Sequence, residues 1–226
     1  SESPLSIASG YAVFANGGYR IHPYGISSIH NAFTHQVVET TPAMACMACV
    51  TPSADPQIER PKVLAPQVIT PQNAYLITQA LRGVIQSGTG RQAKVLHRSD
   101  LAGKTGTTNE QKDTWFAGFN HDIATTVWVG FDQPAPLGRG EYGASTALPV
   151  WIDYMKVALQ GRPPAFMPRP NGIVNVRINP ETGERARPGE EGVFELFKAE
   201  QAPPLLSDDG NGNGGTGGGD LSRQLF

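Results

Sequence analysis

The sequence predicts an α+β fold in which a short antiparallel sheet is packed by helices. Three β-prone runs, Lys104–Thr108, Thr114–Phe119 and Thr125–Phe131, follow one another closely. The links between them, Glu110-Gln111-Lys112 and Asn120-His121-Asp122, are short, whereas a parallel crossover needs a dozen residues or more. Helical periodicity brackets the three runs on both sides. The class follows from those three observations.

The first helix starts at Ser3-Pro4, with serine at the N-cap and proline in the first turn. Leu5, Ala8, Ala12 and Ala15 then recur at helical spacing, and Asn16-Gly17-Gly18 stops them. Residues 19–40 carry Tyr19, Ile21, Tyr24, Ile26, Ile29, Phe33, Val37 and Val38 around Pro23-Tyr24-Gly25, which predicts short antiparallel strands. From about Thr40 to Pro66 prolines recur without a sustained period, so this stretch reads as an irregular insertion. Thr70-Pro71 opens the clearest helix. Ala74, Ile77, Ala80-Leu81 and Val84-Ile85 line one face of it, and Ser87-Gly88 closes it. After the three strands, Ala147–Leu159 forms a further helix with Pro149 in its first turn, its expected face being Val150, Tyr154, Val157 and Ala158. Prolines 163, 164, 168 and 170 make a stiff exit, and a small two-stranded element is expected at Ile173–Ile178, before Pro180-Glu181-Thr182-Gly183.

At 226 residues the chain is one domain or two small ones. A net charge of −2 gives no electrostatic reason to expect nucleic acid or an anionic membrane surface as partner. No apolar run approaches the roughly 18 residues of a membrane span, and no signal-peptide pattern opens the chain. The chain starts without methionine, so that absence does not place it in the cytoplasm. From about Ser207 a Gly/Asn/Asp run cannot bury enough apolar surface to offset its ordering entropy, and a disordered tail over 207–226 is expected. Cys46 and Cys49 form a Cys-x-x-Cys flanked by Pro42 and Pro52. No second ligand pair accompanies them for zinc, and the flanks do not suit a thioredoxin-type helix start, which favours a structural loop feature, either a local disulfide or two free thiols, over redox or metal use.

The chemistry-bearing stretch is Lys104-Thr105-Gly106-Thr107-Thr108-Asn109 with Asp113-Thr114-Trp115-Phe116-Ala117-Gly118-Phe119 behind it. A phosphate-binding loop would need glycine where Arg98 stands and a helix after Lys104, where the sequence reads as strand. Gly88-Thr89-Gly90-Arg91-Gln92-Ala93 matches a dinucleotide fingerprint numerically but follows a helix, so the match is accidental. Gly143-Ala144-Ser145-Thr146-Ala147 lacks the last glycine of a nucleophile elbow, and Ser145 reads as a helix-entry residue. The five histidines are scattered and assemble no triad or metal motif.

Pro71–Ile77, Gly88–Arg91, Asp100–Asn109 and Trp115–Phe119 occur in an order that closely resembles the C-terminal half of the transpeptidase domain of class A (bifunctional) penicillin-binding proteins, the 1A type. Ala8–Gly18 resembles the helix that precedes this region in the same family. The resemblance covers about residues 1–200 and implies a partial penicillin-binding/serine β-lactamase-like fold over residues 1–170, with a small extension at 171–206; the stretch at Cys46 and the tail at 207–226 match no motif of the family. It implies peptidoglycan stem peptides and β-lactams as partners, no cofactor and no metal. It further implies a parent protein that also carries a glycosyltransferase, anchored upstream at the periplasmic face of the bacterial inner membrane. Lys104 is then the cation beside the serine loop, Thr105, Gly106 and Thr107 bind the substrate carboxylate, and the Thr107 backbone N–H is an oxyanion donor. Trp115 and Phe116 read as core beneath the site.

Penicillin-interacting serine enzymes pair this Lys-Thr-Gly strand with Ser-x-x-Lys and with Ser-x-Asn or Ser-Asp-Asn. No serine here has lysine three residues on or asparagine two residues on. The nucleophile is therefore expected on an upstream segment, with this chain inactive by itself. The rival expectations are a non-catalytic module that binds peptidoglycan or a partner protein, and a nucleotide-binding module.

Overall fold

The computed structural model describes residues 2–26, 28–39, 43–45 and 63–205. Cys46, Cys49 and the Gly-rich tail lie outside them. The chain divides into two compact units, Ser1–Ile173 and a second from Val174 onward.

In the first unit, α1 (Pro4–Ala15) starts as expected, Ser3 accepting the Ser6 amide and Pro4 in the first turn. Asn16 ends it by a reciprocal pair of hydrogen bonds with the Tyr19 backbone, both 2.9 Å. Strands β1 (Ile29–His30) and β2 (Val37–Glu39) pair antiparallel, yet Phe33 between them is 95% exposed. Helix α2 (Pro71–Gln86) is capped by the Thr70 hydroxyl on the Asn73 amide.

Strands β3 (Ala102–Thr107), β4 (Asp113–Phe119) and β5 (Ala124–Gly130) form an antiparallel sheet in the order β3-β4-β5. Lys104 stands opposite Ala117, Gly106 opposite Trp115, and Trp115 opposite Trp128. Asn120, buried at the β4–β5 link, turns the chain by accepting the Asp122 and Ile123 amides on one side-chain oxygen.

The pleat sends alternate residues to opposite faces. Ala102, Phe119 and Ala124 meet Tyr11, Phe14 and Ala15 of α1 on one face. Leu101 and Phe116 meet α3 (Leu148–Ala158) on the other, the Phe116 and Trp151 rings crossing edge-on at 4.9 Å. Helix α2 contributes Leu81 to the first cluster and Ile85 to the second, which places it across the β3 end of the sheet.

The face expected for α3 is corrected by the structure. Val150, Tyr154 and Val157 are exposed, Val157 by 72%, and Leu148, Trp151, Met155 and Leu159 are buried instead. Both stripes are apolar and both fit a helical period, so spacing did not discriminate between them. The Phe116 ring on the sheet offers a partner to Trp151, and that contact orients the helix. For α2 the correction is smaller: Ala74, Thr78 and Ile85 are buried, whereas Ile77 is 42% exposed.

In the second unit β6 (Ile173–Ile178) pairs with β7 (Val193–Lys198). Asn179 opens the turn after β6, its side-chain oxygen accepting the Glu181 and Thr182 amides.

Candidate active site

Strand β3 is an edge strand among the described residues, and the sequence-predicted site residues stand along its second half. The Thr108 amide donates to Asp113 O at 3.0 Å, so residue 108 faces β4. Backbone groups alternate direction along an antiparallel strand. Accordingly Gly106 turns its N–H and C=O toward β4, and Thr105 and Thr107 turn theirs toward the open edge.

Side chains divide the other way. Lys104 and Gly106 share the α1 face with Trp115 and Ala117, where they line a pocket of about 330 Å³ with Tyr11 and Ile7. Lys104 is exposed and donates to Thr105 O at 2.9 Å; among the described residues it has no ion-pair partner. Among the described residues, no serine or cysteine lines this pocket.

Thr105 and Thr107 point to the opposite face. The Thr105 hydroxyl lies 2.8 Å from that of Thr89, in the turn after α2. The Thr107 hydroxyl accepts the Gly143 amide at 3.0 Å. Gly143 lies directly against the sheet: a Cβ there would fall 2.5 Å from Trp115 O and 2.6 Å from Gly106 O. Only a residue without a side chain fits that close approach. The turn Gly143–Ala147 leads into α3, and Ser145 acts at this entry by accepting the Tyr142 amide at 2.9 Å and donating to Gly140 O at 2.7 Å.

The expectation that Trp115 and Phe116 are both core is corrected for Trp115. Phe116 is fully buried beneath α3. Trp115 is half-buried, forms part of the Lys104 pocket wall, and leans on Trp128 with ring centres 6.1 Å apart. Neighbouring strand residues face opposite ways, and the α1 cluster closes over Phe119 rather than over Trp115.

The strand is braced from below by Asp100, 5% exposed, just before β3. Its carboxylate accepts from Arg98 Nε (3.0 Å) and Nη2 (2.6 Å), from Asn120 Nδ2 (3.1 Å) and from the Ala165 amide (3.0 Å). Burial pushes this carboxyl up, but the hydrogen bonds from Arg98, Ala165 and Asn120, with the Arg98 charge, outweigh it and hold it below the usual value. The arrangement is structural in its reach, since all four acceptor bonds are used within the fold.

Sequence reasoning missed three contributors: Thr89, Gly143 and Asp100. Gly88–Arg91 and Asp100–Asn109 count among the ordered segments of the resemblance, but nothing local to them assigns a role to Thr89 or Asp100, and Gly-Ala-Ser-Thr-Ala reads only as a failed nucleophile elbow. Chemically, the strand offers an ammonium on one face, two hydroxyls on the other, and outward N–H groups between them. These are the parts that bind a carboxylate and stabilise a developing oxyanion.

Comparison with known proteins gives consistent matches. The penicillin binding protein transpeptidase domain family matches residues 1–155. Penicillin-binding protein 1A of Pseudomonas aeruginosa is 42% identical over 236 residues, an alignment covering 91% of this chain and 29% of that protein. Penicillin-binding protein 1A of Neisseria lactamica is 45% identical over 172 residues, covering 76% of this chain and 20% of that protein. The crystal structure of Penicillin-Binding Protein 1A from Haemophilus influenzae superposes with a TM-score of 0.80 at 38% identity, covering 90% of this chain and 33% of that one. The chain thus spans under a third of the length of these two curated relatives.

Proposed function

This chain belongs to the penicillin-binding protein transpeptidase family, and from that membership we propose that it forms one wall of a D,D-transpeptidase cleft that crosslinks peptidoglycan. The observation that carries the reading is the outward-facing edge of β3, with Lys104, Thr105 and Thr107 along it. In this reading a serine on an upstream segment attacks the D-Ala–D-Ala carbonyl of a stem peptide. D-Ala leaves, and an amine of a neighbouring stem resolves the acyl-enzyme. Lys104 lowers the cost of negative charge near the serine and takes part in proton transfer. The Thr105 and Thr107 hydroxyls hold the terminal carboxylate, and the Thr107 N–H is the second donor to the oxyanion, the first being the serine's own amide. A β-lactam presents a matching carbonyl and carboxylate and acylates the same serine. The parent protein also carries a glycosyltransferase and acts at the periplasmic face of the inner membrane, anchored by an upstream segment.

Residues 1–226 contain no Ser-x-x-Lys. Incubated alone with a fluorescent penicillin, they are expected to stay unlabelled on a denaturing gel, and the longer polypeptide with its upstream segment is expected to label. Labelling of the short chain would contradict the division of residues proposed here. A longer polypeptide that failed to label would favour a non-catalytic module that binds peptidoglycan or a partner protein.

In the longer polypeptide, Lys104→Met is expected to slow penicillin acylation by at least about 10²-fold, the usual scale for a positioned proton-transfer group. Lys104 is exposed and pairs with no carboxylate among the described residues, so the melting temperature should hardly move. Acylation within a few-fold of the parent would remove Lys104 from the mechanism.

A further inference from the structure

The turn Gly88-Thr89-Gly90 is built to deliver one hydroxyl to β3. The Gly90 amide donates to Val84 O at 3.0 Å, and the Arg91 amide to Gly88 O at 3.2 Å. A Cβ on Gly88 would lie 2.9 Å from both Cα and O of Val84, so the chain closes this tightly over the end of α2 only with glycine there. Gly90 is itself buried. Between them Thr89 is carried out to the strand, its Oγ1 2.8 Å from Thr105 Oγ1.

Two hydroxyls in contact share a single hydrogen, and each threonine has only one to give. If Thr105 gave its hydrogen to Thr89, it would face an incoming carboxylate with lone pairs alone. If Thr89 gives, Thr105 accepts from behind and keeps its hydrogen for the ligand. Accepting a hydrogen bond also polarises the hydroxyl and strengthens its own donation. We propose that Thr89 is a positioning residue that donates to Thr105 and so directs the Thr105 hydroxyl hydrogen at the substrate carboxylate. This inference rests on the transpeptidase reading of β3 and adds a residue of the α2 turn to carboxylate recognition.

The test uses the longer polypeptide and measures acylation rate against penicillin concentration, which separates apparent affinity from the limiting rate. Thr89→Val keeps the side-chain shape and removes the donor. It leaves the Thr105 hydroxyl without the hydrogen bond that orients and polarises it, and is expected to weaken apparent affinity about fivefold, the scale of one neutral hydrogen bond, with the limiting rate unchanged. Thr89→Ser should restore affinity to within about twofold of the parent. Against the methyl ester of the same penicillin, whose carboxylate charge is masked, Thr89→Val should behave like the parent protein. Adding Thr89→Val to Thr105→Val should cost nothing more. Equal losses on acid and ester would make Thr89 a structural residue and overturn the inference, as would unchanged affinity for the acid. If the parent protein is not acylated at all, the transpeptidase reading falls and this inference falls with it.

Discussion

Asp100→Ala is expected to cost about 3–5 kcal/mol of folding free energy, the scale for breaking a buried ion pair from one side. The loss arises from what is left behind. Arg98, whose side chain is only 12% exposed, would keep its charge without a counter-ion, and the Asn120 side chain and Ala165 amide would lose their acceptor. Arg98 also donates to Arg162 O and Pro163 O, so the damage reaches the segment after α3 as well as the β4–β5 turn. The Lys112–Glu110 pair is as short at 2.6 Å but solvent-exposed, and Glu110→Ala should hardly move the unfolding midpoint. Urea unfolding of the three proteins makes the comparison, and an unmoved midpoint for Asp100→Ala would refute it. The pH dependence has a definite sign. The Asp100 pKa is lowered in the folded chain, so its contribution is whole above the unfolded value and lost as pH falls through the folded one. The gap between parent and Asp100→Ala should therefore hold from neutrality to about pH 4, the ordinary aspartate range, and close below it. A gap already shrinking at pH 6 would point to another group.

Gly143→Ala is expected to damage the site without changing any residue proposed to meet substrate. The new methyl would meet Trp115 O, Gly106 O and, at 3.1 Å, Gly106 N, all backbone atoms locked in the β3–β4 ladder. Either the Gly143 turn lifts, releasing its hydrogen bond to Thr107, or the strand shifts at the Lys-Thr-Gly segment. Overpacking of this kind costs about 1–3 kcal/mol. A displacement near 1 Å in a positioned strand costs on the order of 10²-fold in rate. Penicillin acylation by the longer polypeptide should fall accordingly. Gly83→Ala serves as the contrast: it lies in α2 with nothing within 4 Å of the added carbon, and should be neutral or stabilising by up to about 1 kcal/mol. Equal behaviour of the two variants would show that the Gly143 contact does not position β3.

Much of the scaffold was legible because its signals are local. Ser3-Pro4 and Thr70-Pro71 both form side-chain caps where expected. The three strands fall within two residues of their expected starts, and the short links impose antiparallel pairing. Helix α3 was legible in extent and illegible in orientation. Leu148, Trp151 and Met155 compete with Val150, Tyr154 and Val157 for the same core, and only the sheet beneath decides between two apolar stripes. Trp115 and Phe116 show the same limit within a strand: alternation says they part company, but which one is covered depends on the helix laid over each face.

By itself the sequence determined that Lys104-Thr105-Gly106-Thr107 is a strand, that two more strands fold back antiparallel behind it, and that the ordered motifs point to one family. Those conclusions need only side-chain period, link length and residue order. The tertiary structure decided what packs against the residues of that strand, with Thr89 against Thr105 and Gly143 against Thr107. Those contacts join residues 16 and 36 positions apart. Their geometry is set by how α2 and the entry to α3 pack on the sheet, and local propensity carries no record of packing at that range.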